Sequence, residues 1–247
     1  MPLSRPSSPR SPDTTRRTLV TGAIALLPAL LHAAPAKKKT VPKKNTGKAR
    51  KAAPAAAAAS AAVSSAPSAP VGQPAPDFAT PDLDGNLHTL AGYRGRVLVL
   101  EWFNPSCAFV RKHYASGSIP SLQQECAARG VAWLSVDSTA ENHAEHLLPQ
   151  LLAAWQKSQG AAPTATLADT DGTLARSYGA HVTPHVFIVD AQGTLAYEGA
   201  IDSIASSQQA DVGRATNHVR QALEDVLAGR AVAQATTRPY GCPVRNK

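Results

Sequence analysis

Residues 96–103 read Arg-Val-Leu-Val-Leu-Glu-Trp-Phe, a near-continuous apolar run that ends at Asn104-Pro105-Ser106 and sets Cys107 at what reads as the first turn of a helix. A strand so uniformly apolar needs cover on both faces, which places it in the middle of a sheet with helices above and below. The elements predicted after it supply that cover. A helix starts near 105–107, falters around 116–120 and resumes to a stop at Gly130. A strand follows over 131–137. Residues 140–157 have a helical pattern whose apolar side is Leu147, Leu148, Leu151, Leu152 and Trp155. A short strand (164–169), a short helix (172–179), and a strand at 185–190 turned back through 191–193 into a hairpin come next. A final helix covers 210–228 and ends at Gly229. Strands alternating with helices, then a closing hairpin and helix, predict a three-layer α/β/α fold around a central mixed sheet. Residues 71–247 number 177, ample for one core and too few for two.

The first 70 residues cannot join that core. The chain has a formal net charge of +8, but residues 1–76 hold 12 basic residues and one acid, leaving 13 basic and 16 acidic residues beyond them. The excess positive charge belongs to the leading segment, so it gives no ground for a nucleic-acid partner. Arg16 and Arg17 precede a 13-residue apolar stretch (19–31) broken by Pro28, with Ala-Pro-Ala at 34–36. A membrane-spanning helix needs about 20 apolar residues, so 1–36 is predicted to be a removable export signal rather than a transmembrane span. Thr15-Arg16-Arg17-Thr18-Leu19 is also compatible with the twin-arginine route. The segment contains no cysteine for a lipid anchor. Residues 37–70, rich in Lys, Ala, Pro and Ser, have little to bury and read as a solvated tether. The tether's charge offers weak, salt-sensitive contact with an anionic envelope surface. The expected location is the periplasm or another exported compartment.

Cys107 is the chemically informative residue. A thiolate attacks and a thiol does not. A helix N-terminus directs unpaired N–H groups and the positive end of the dipole at such a sulfur. Pro105 preorganises the turn, Trp102 and Phe103 are expected to pack the strand end, and Arg111, one turn on, is expected to add positive charge. A strand, then Trp102-Phe103-Asn104-Pro105-Ser106-Cys107 opening a helix, then Thr183-Pro184 just before a later strand, resembles the thioredoxin fold in its redoxin branch. That branch includes the peroxiredoxins (alkyl hydroperoxide reductase and thiol-specific antioxidant proteins) and the secreted thiol-disulfide reductases. Residues 71–78 followed by 82–102 are similar to the opening of that branch, where an extra hairpin precedes the core. Residues 104–114 with the terminal Pro239-Tyr240-Gly241-Cys242-Pro243-Val244 resemble a peroxiredoxin-like subgroup, Ala108 standing where proline is usual. The resemblance implies a cis Pro184 beside Cys107, with the Thr183 backbone free to pair with an extended substrate, and Asn104, Arg111 and Trp102 around the substrate.

Three cysteines allow one pair and one leftover, in three ways. Cys126, four residues after Leu122 on a helix, reads as core-facing and inert. Cys242 stands in a tail with Pro239, Gly241 and Pro243 and no hydrophobic mass, so packing explains it poorly; it is the candidate to resolve a mixed disulfide or sulfenate at Cys107. Val110 occupies the position where a second cysteine would complete CxxC. In a PxxxTxxC peroxidase motif ending at Cys107, Leu100 and Asn104 stand in place of Pro and Thr. The leading expectation is an exported thiol-disulfide oxidoreductase acting through Cys107 on a protein thiol or disulfide, without a cofactor. A peroxiredoxin-like thiol peroxidase and a redox-inactive binding domain are the alternatives. Arg111 breaks a copper-carrier spacing. His143 and His146, expected on one helix face beside Glu145, and His181 and His185, flanking Thr183-Pro184, lack a third ligand placed by spacing, so no metal site is expected.

Overall fold

The structure is a computed structural model and describes residues 70–246; the expected export signal (1–36) and all of the expected tether but Pro70 lie outside the described residues. No helix among the described residues is long and apolar enough to cross a membrane.

Strands β1 (Ala79–Pro81) and β2 (Leu87–Thr89) form the hairpin expected ahead of the core. The run at 96–103 becomes β3 (Leu98–Trp102), buried along its whole length. Cys107 then caps α1 (Ala108–Ala115), and Gly117, at φ +76°, separates it from α2 (Ser118–Ala128). Next come β4 (Ala132–Asp137), α3 (Pro149–Ser158), β5 (Ala165–Ala168) and α4 (Thr173–Tyr178). The short β6 (Val182–Thr183) leads into β7 (His185–Val189), whose hairpin partner is β8 (Leu195–Gly199). Helix α5 (His218–Leu227) and the two-residue β9 (Cys242–Pro243) complete the chain.

The five-stranded sheet has the order β5-β4-β3-β7-β8, with β3 parallel to β4 and antiparallel to β7. The side-chain alternation of β3 separates two cores. Val97, Val99 and Phe103 pack with α1, α2, α3 and α5 through Val110, Tyr114, Ile119, Leu122, Leu152, Val219 and Leu223. Leu98, Leu100 and Trp102 pack on the other face with Leu174, Ala175 and Tyr178 of α4 and with Leu90 and Tyr93. This is a thioredoxin-like three-layer α/β/α fold.

Two predicted helices are shorter than their patterns. Helix α3 begins only at Pro149, which suits a first-turn position but not a helix interior. Leu148 and Leu151 are 59% and 56% exposed, so of the five predicted apolar positions only Leu152 is fully buried, with Leu147 and Trp155 at the core edge. Helix α5 starts at His218, capped by the Asn217 side chain on the Arg220 N–H; residues 209–214 ahead of it form a 3-10 turn.

One residue of β3 departs from its apolar surroundings. Glu101 is fully buried; its Oε2 accepts from Trp133 Nε1 at 2.9 Å and Tyr114 OH at 3.0 Å, while Oε1 has no partner among the described residues. Burial pushes its carboxyl up to about 7, outweighing those hydrogen bonds. Folding therefore takes up a proton between the ordinary value of 4.5 and about 7, and this group's contribution to stability falls as pH rises through that window. The buried His113 and His185 oppose this. Desolvation lowers them to about 4 and about 3, so their contribution falls as pH drops below 6.5. The Glu101 effect is thus read as a difference between variant and wild type. From pH 5 to pH 8, Glu101→Gln is expected to gain on the order of 2 kcal/mol relative to wild type in urea unfolding; an unchanged difference would show that the carboxyl titrates normally.

Candidate active site

The loop leaving β3 is fixed by its own side chains. Asn104 Oδ1 accepts from the Ser106 N–H at 2.7 Å, and the Asn104 carbonyl accepts from the Cys107 N–H at 3.0 Å. Its amide Nδ2 donates to Glu145 Oε2 at 2.9 Å and Thr139 Oγ1 at 3.3 Å. These bonds present Cys107 as the N-cap of α1, with extended backbone and its carbonyl accepting from the Arg111 N–H at 3.0 Å. No acidic residue stands in the first turn to compete for the positive end of the helix.

The second half of the site comes from the neighbouring strand. Antiparallel pairing of β3 with β7 sets Trp102 opposite His185, so the loop entering β7 lies beside the loop leaving β3. The Thr183–Pro184 peptide is cis. Cys107, only 2% exposed, has its Sγ 3.1 Å from the Thr183 carbonyl oxygen.

Cys242 closes the site. It is disulfide-bonded to Cys107 across 135 positions of sequence, with the two Cα atoms 5.8 Å apart. Its strand β9 pairs antiparallel with β6, Thr183 opposite Cys242, and the Val244 N–H continues the pairing to the His181 carbonyl at 3.0 Å. The Thr183 backbone, expected to be free for an extended substrate, is thus taken by the chain's own tail. Gly241 is required there: at φ +147°, a Cβ at this position would overlap the Thr183 carbonyl oxygen. The tail also has more to bury than its sequence implied. Tyr240 packs edge-on against Phe109 at 5.7 Å, Val244 packs on the core, and Thr237 accepts from the Ala200 N–H at 2.9 Å.

Several residues singled out in the sequence occupy other roles. Trp102 has no exposed surface to offer a substrate; it lies on the opposite face of the sheet from Cys107 and donates from Nε1 to Ser138 Oγ at 3.0 Å. Asn104 is buried and holds the loop. Arg111 is exposed and forms no ion pair with a described residue, because its position on α1 faces outward. The buried cation is the next residue, Lys112. Its Nζ donates to Asp202 Oδ2 at 3.0 Å, the Ile204 carbonyl at 3.2 Å and Tyr240 OH at 3.0 Å. The Tyr240 hydroxyl also donates to Asp202 Oδ1, and His113 Nε2 lies 3.8 Å from Asp202 Oδ2. Burial first, and the Lys112 charge second, lower the His113 imidazole to about 4, so it is neutral at pH 7. The sequence signal for this cluster was present but weak: an aromatic two residues before Cys242, and a Lys-His pair where α1 turns inward. Cys126 is buried, and desolvation with the nearby Glu125 pushes its thiol up to about 11, in keeping with an inert residue.

The two histidine pairs are arranged differently from the sequence expectation. Residues 141–145 are turns rather than helix, so His143 and His146 share no helix face; His143 Nδ1 accepts from the Glu145 N–H at 3.1 Å. His181 and His185 have ring centroids 5.6 Å apart, and the His185 ring packs at a tilt against Phe187 at 4.3 Å. Among the described residues no three His, Cys, Asp or Glu side chains are grouped to hold a metal ion.

Comparison with known proteins agrees with this fold. The AhpC/TSA family model matches residues 71–198, just over half the chain, including Cys107 and Pro184. The chain belongs to the AhpC/TSA family. The matched segment ends before the tail, so Cys242 stands outside it. No curated protein matches this AhpC/TSA chain significantly. A hypothetical protein of Sinorhizobium meliloti 1021 is similar in structure, 25% identical with a TM-score of 0.62, covering 73% of this chain and 96% of its own. A conserved protein of Geobacillus kaustophilus is similar at 23% identity with a TM-score of 0.61, covering 72% and 93%.

Gly241→Ala tests whether the tail reaches the site as described. The clash is with backbone that cannot swing aside, so the yield of Cys107–Cys242 disulfide in a thiol-disulfide buffer is expected to fall at least ~10-fold while the cooperative unfolding of the core persists. Wild-type yield in a non-reducing gel shift would contradict the placement of β9.

Proposed function

We propose that this chain is an exported thiol-disulfide oxidoreductase in which Cys107 is the nucleophile and Cys242 resolves the intermediate. The observation that carries the reading is the Cys107–Cys242 bond at the opening of α1, beside cis-Pro184. The Cys107 thiolate, stabilised by the helix N-terminus, attacks one sulfur of a substrate disulfide and expels the other as thiolate. The Cys242 thiolate then attacks Cys107 Sγ, releases the substrate's remaining sulfur, and leaves the intramolecular disulfide. Two electrons pass to the substrate, and an external dithiol restores the chain. Val110 cannot take the resolving role from within the helix, and the tail supplies it from 135 residues away.

A peroxide is the second substrate class, and one observation favours it. Strand β9 holds the backbone of β6 that an extended protein substrate would use, a restriction a small oxidant does not feel. Here the Cys107 thiolate takes one peroxide oxygen, giving sulfenic acid and an alcohol or water, and Cys242 condenses with the sulfenic acid to give the disulfide and water. Against this reading, position 104 carries a buried amide occupied in holding the loop where the peroxidase motif has a hydroxyl.

Alkylation gel shifts on the reduced chain decide the matter. Equimolar hydrogen peroxide and, separately, a disulfide-bonded peptide are expected to convert wild type to the Cys107–Cys242 form; Cys242→Ser should stall as a mixed disulfide or sulfenate, and Cys107→Ser should not react. Reaction with the peptide at least ~10-fold faster than with peroxide supports the exchange reading, and the reverse order supports the peroxidase. A Cys107→Ser chain that retains either reaction removes Cys107 from both. Export is tested separately: the mature chain is expected outside the cytoplasm with a new N-terminus near residue 37, and an intact leader on cytosolic protein contradicts it.

A further inference from the structure

The buried cluster beneath the tail has no part in the chemistry just described, yet it joins the nucleophile's helix to the resolving cysteine's strand. Lys112, on α1 five residues after Cys107, is fully buried and uses its ammonium on three oxygens: Asp202 Oδ2, the Ile204 carbonyl and the Tyr240 hydroxyl. Tyr240 in turn donates to Asp202 Oδ1, presents its ring to the ammonium at 5.3 Å, and lies two residues before Cys242. Desolvating a lysine and a carboxylate is costly, so a buried pair is a weak source of stability, and in some proteins buried polar groups fix one arrangement over others.

We propose that Lys112, Asp202 and Tyr240 are positioning residues, a latch that docks the tail before the disulfide forms and so sets the effective concentration of Cys242 at Cys107. The inference rests on the resolving role of Cys242 proposed above. A residue two positions from Cys242, held by bonds to charged groups on two separate segments, removes most of the freedom a terminal strand would otherwise keep. Gly241 then lets the backbone cross Thr183, and Cys242 arrives in register with β6. Phe109 on α1 supports the outer side of the Tyr240 ring. Lys112, Asp202 and Tyr240 all belong to this chain.

The test uses the reduced full chain equilibrated with glutathione and glutathione disulfide as probes. The Cys107 thiolate exchanges with glutathione disulfide to give a Cys107–glutathione mixed disulfide and one glutathione thiolate; Cys242 then displaces the second glutathione. The ratio of intramolecular disulfide to mixed disulfide, at known glutathione, measures the effective concentration of Cys242. Tyr240→Phe keeps the ring and removes only the hydroxyl, and it is expected to lower that concentration about 10- to 100-fold. Equal ratios in wild type and variant overturn the latch while leaving the resolving role intact. Absence of any intramolecular disulfide in wild type overturns both. Slowing of the first exchange by the same factor, measured in a Cys242→Ser background, would place the hydroxyl's action on Cys107 and also overturn the latch. A second measurement needs no substitution: in reduced wild type the Val244 amide, bonded to the His181 carbonyl, is expected to stay protected from hydrogen exchange, and exchange at the rate of free chain would show that only the disulfide holds the tail.

Discussion

The antiparallel register between β3 and β7, with Trp102 opposite His185, is the constraint on which the site depends. It brings two loops from distant parts of the sequence to the same end of the sheet, the first ending in Cys107 and the second containing Thr183–Pro184. Side chains on a strand alternate between faces, so a one-residue slip would turn Val99 and Phe103 out of one core and Leu98, Leu100 and Trp102 out of the other. Both faces of β3 are buried, and so the register is specified twice over. The chemistry inherits its precision from that packing, and the loop residues refine it.

The central mixed sheet was legible because each central strand is a short apolar run with glycine or a helix signal beside it; the order of its strands came only with the structure. The helices were legible in existence but less so in extent. Apolar residues at 147, 148, 151 and 152 repeat at helical spacing whether or not the chain is helical, and only Pro149 marks the point where the helix begins. At the site, the place of Cys107 at a helix opening could be read because helix capping is a local property, while the cis Pro184 beside it was implied only by the family resemblance. Roles set by burial could not. Trp102 and Arg111 are placed by which side of a strand or helix faces outward, and the burial of Lys112 depends on a partner, Asp202, 90 positions later in the chain. The tail was the least legible segment, since its partners are the β6 edge and a cluster assembled from three regions.

Two buried charged groups illustrate different solutions to the same cost. Among the described residues Glu101 has donors but no cation beside it, and burial raises its carboxyl to about 7, so the charge is relieved by uptake of a proton near neutral pH. Lys112 has an anion at 3.0 Å and two further oxygens. The first arrangement ties β3 to Trp133 of β4 and Tyr114 of α1 within one face of the fold; the second ties α1 to residues far along the chain. Replacing Lys112 alone would leave the Asp202 carboxylate buried without its cation, whereas replacing Lys112 and Asp202 together by well-packed hydrocarbon would cost the core little and remove the pair that selects one position for the tail.

Tail docking and the disulfide are thermodynamically linked, which gives the latch an optimum rather than a maximum. Whatever stabilises the docked tail in the reduced chain raises the effective concentration of Cys242 and favours the closed disulfide over any mixed disulfide with a substrate. The same stabilisation makes that disulfide harder for an external thiol to reopen, and it holds β9 over the backbone of β6. A tail bound too tightly would resolve quickly and then refuse both reduction and protein substrates, while a loose one would leave Cys107 in adducts that further oxidation could trap. A hydroxyl anchored on a buried ion pair, next to a glycine that strengthens nothing, suits an intermediate strength: directional enough to set register, and small enough in area for the strand to leave.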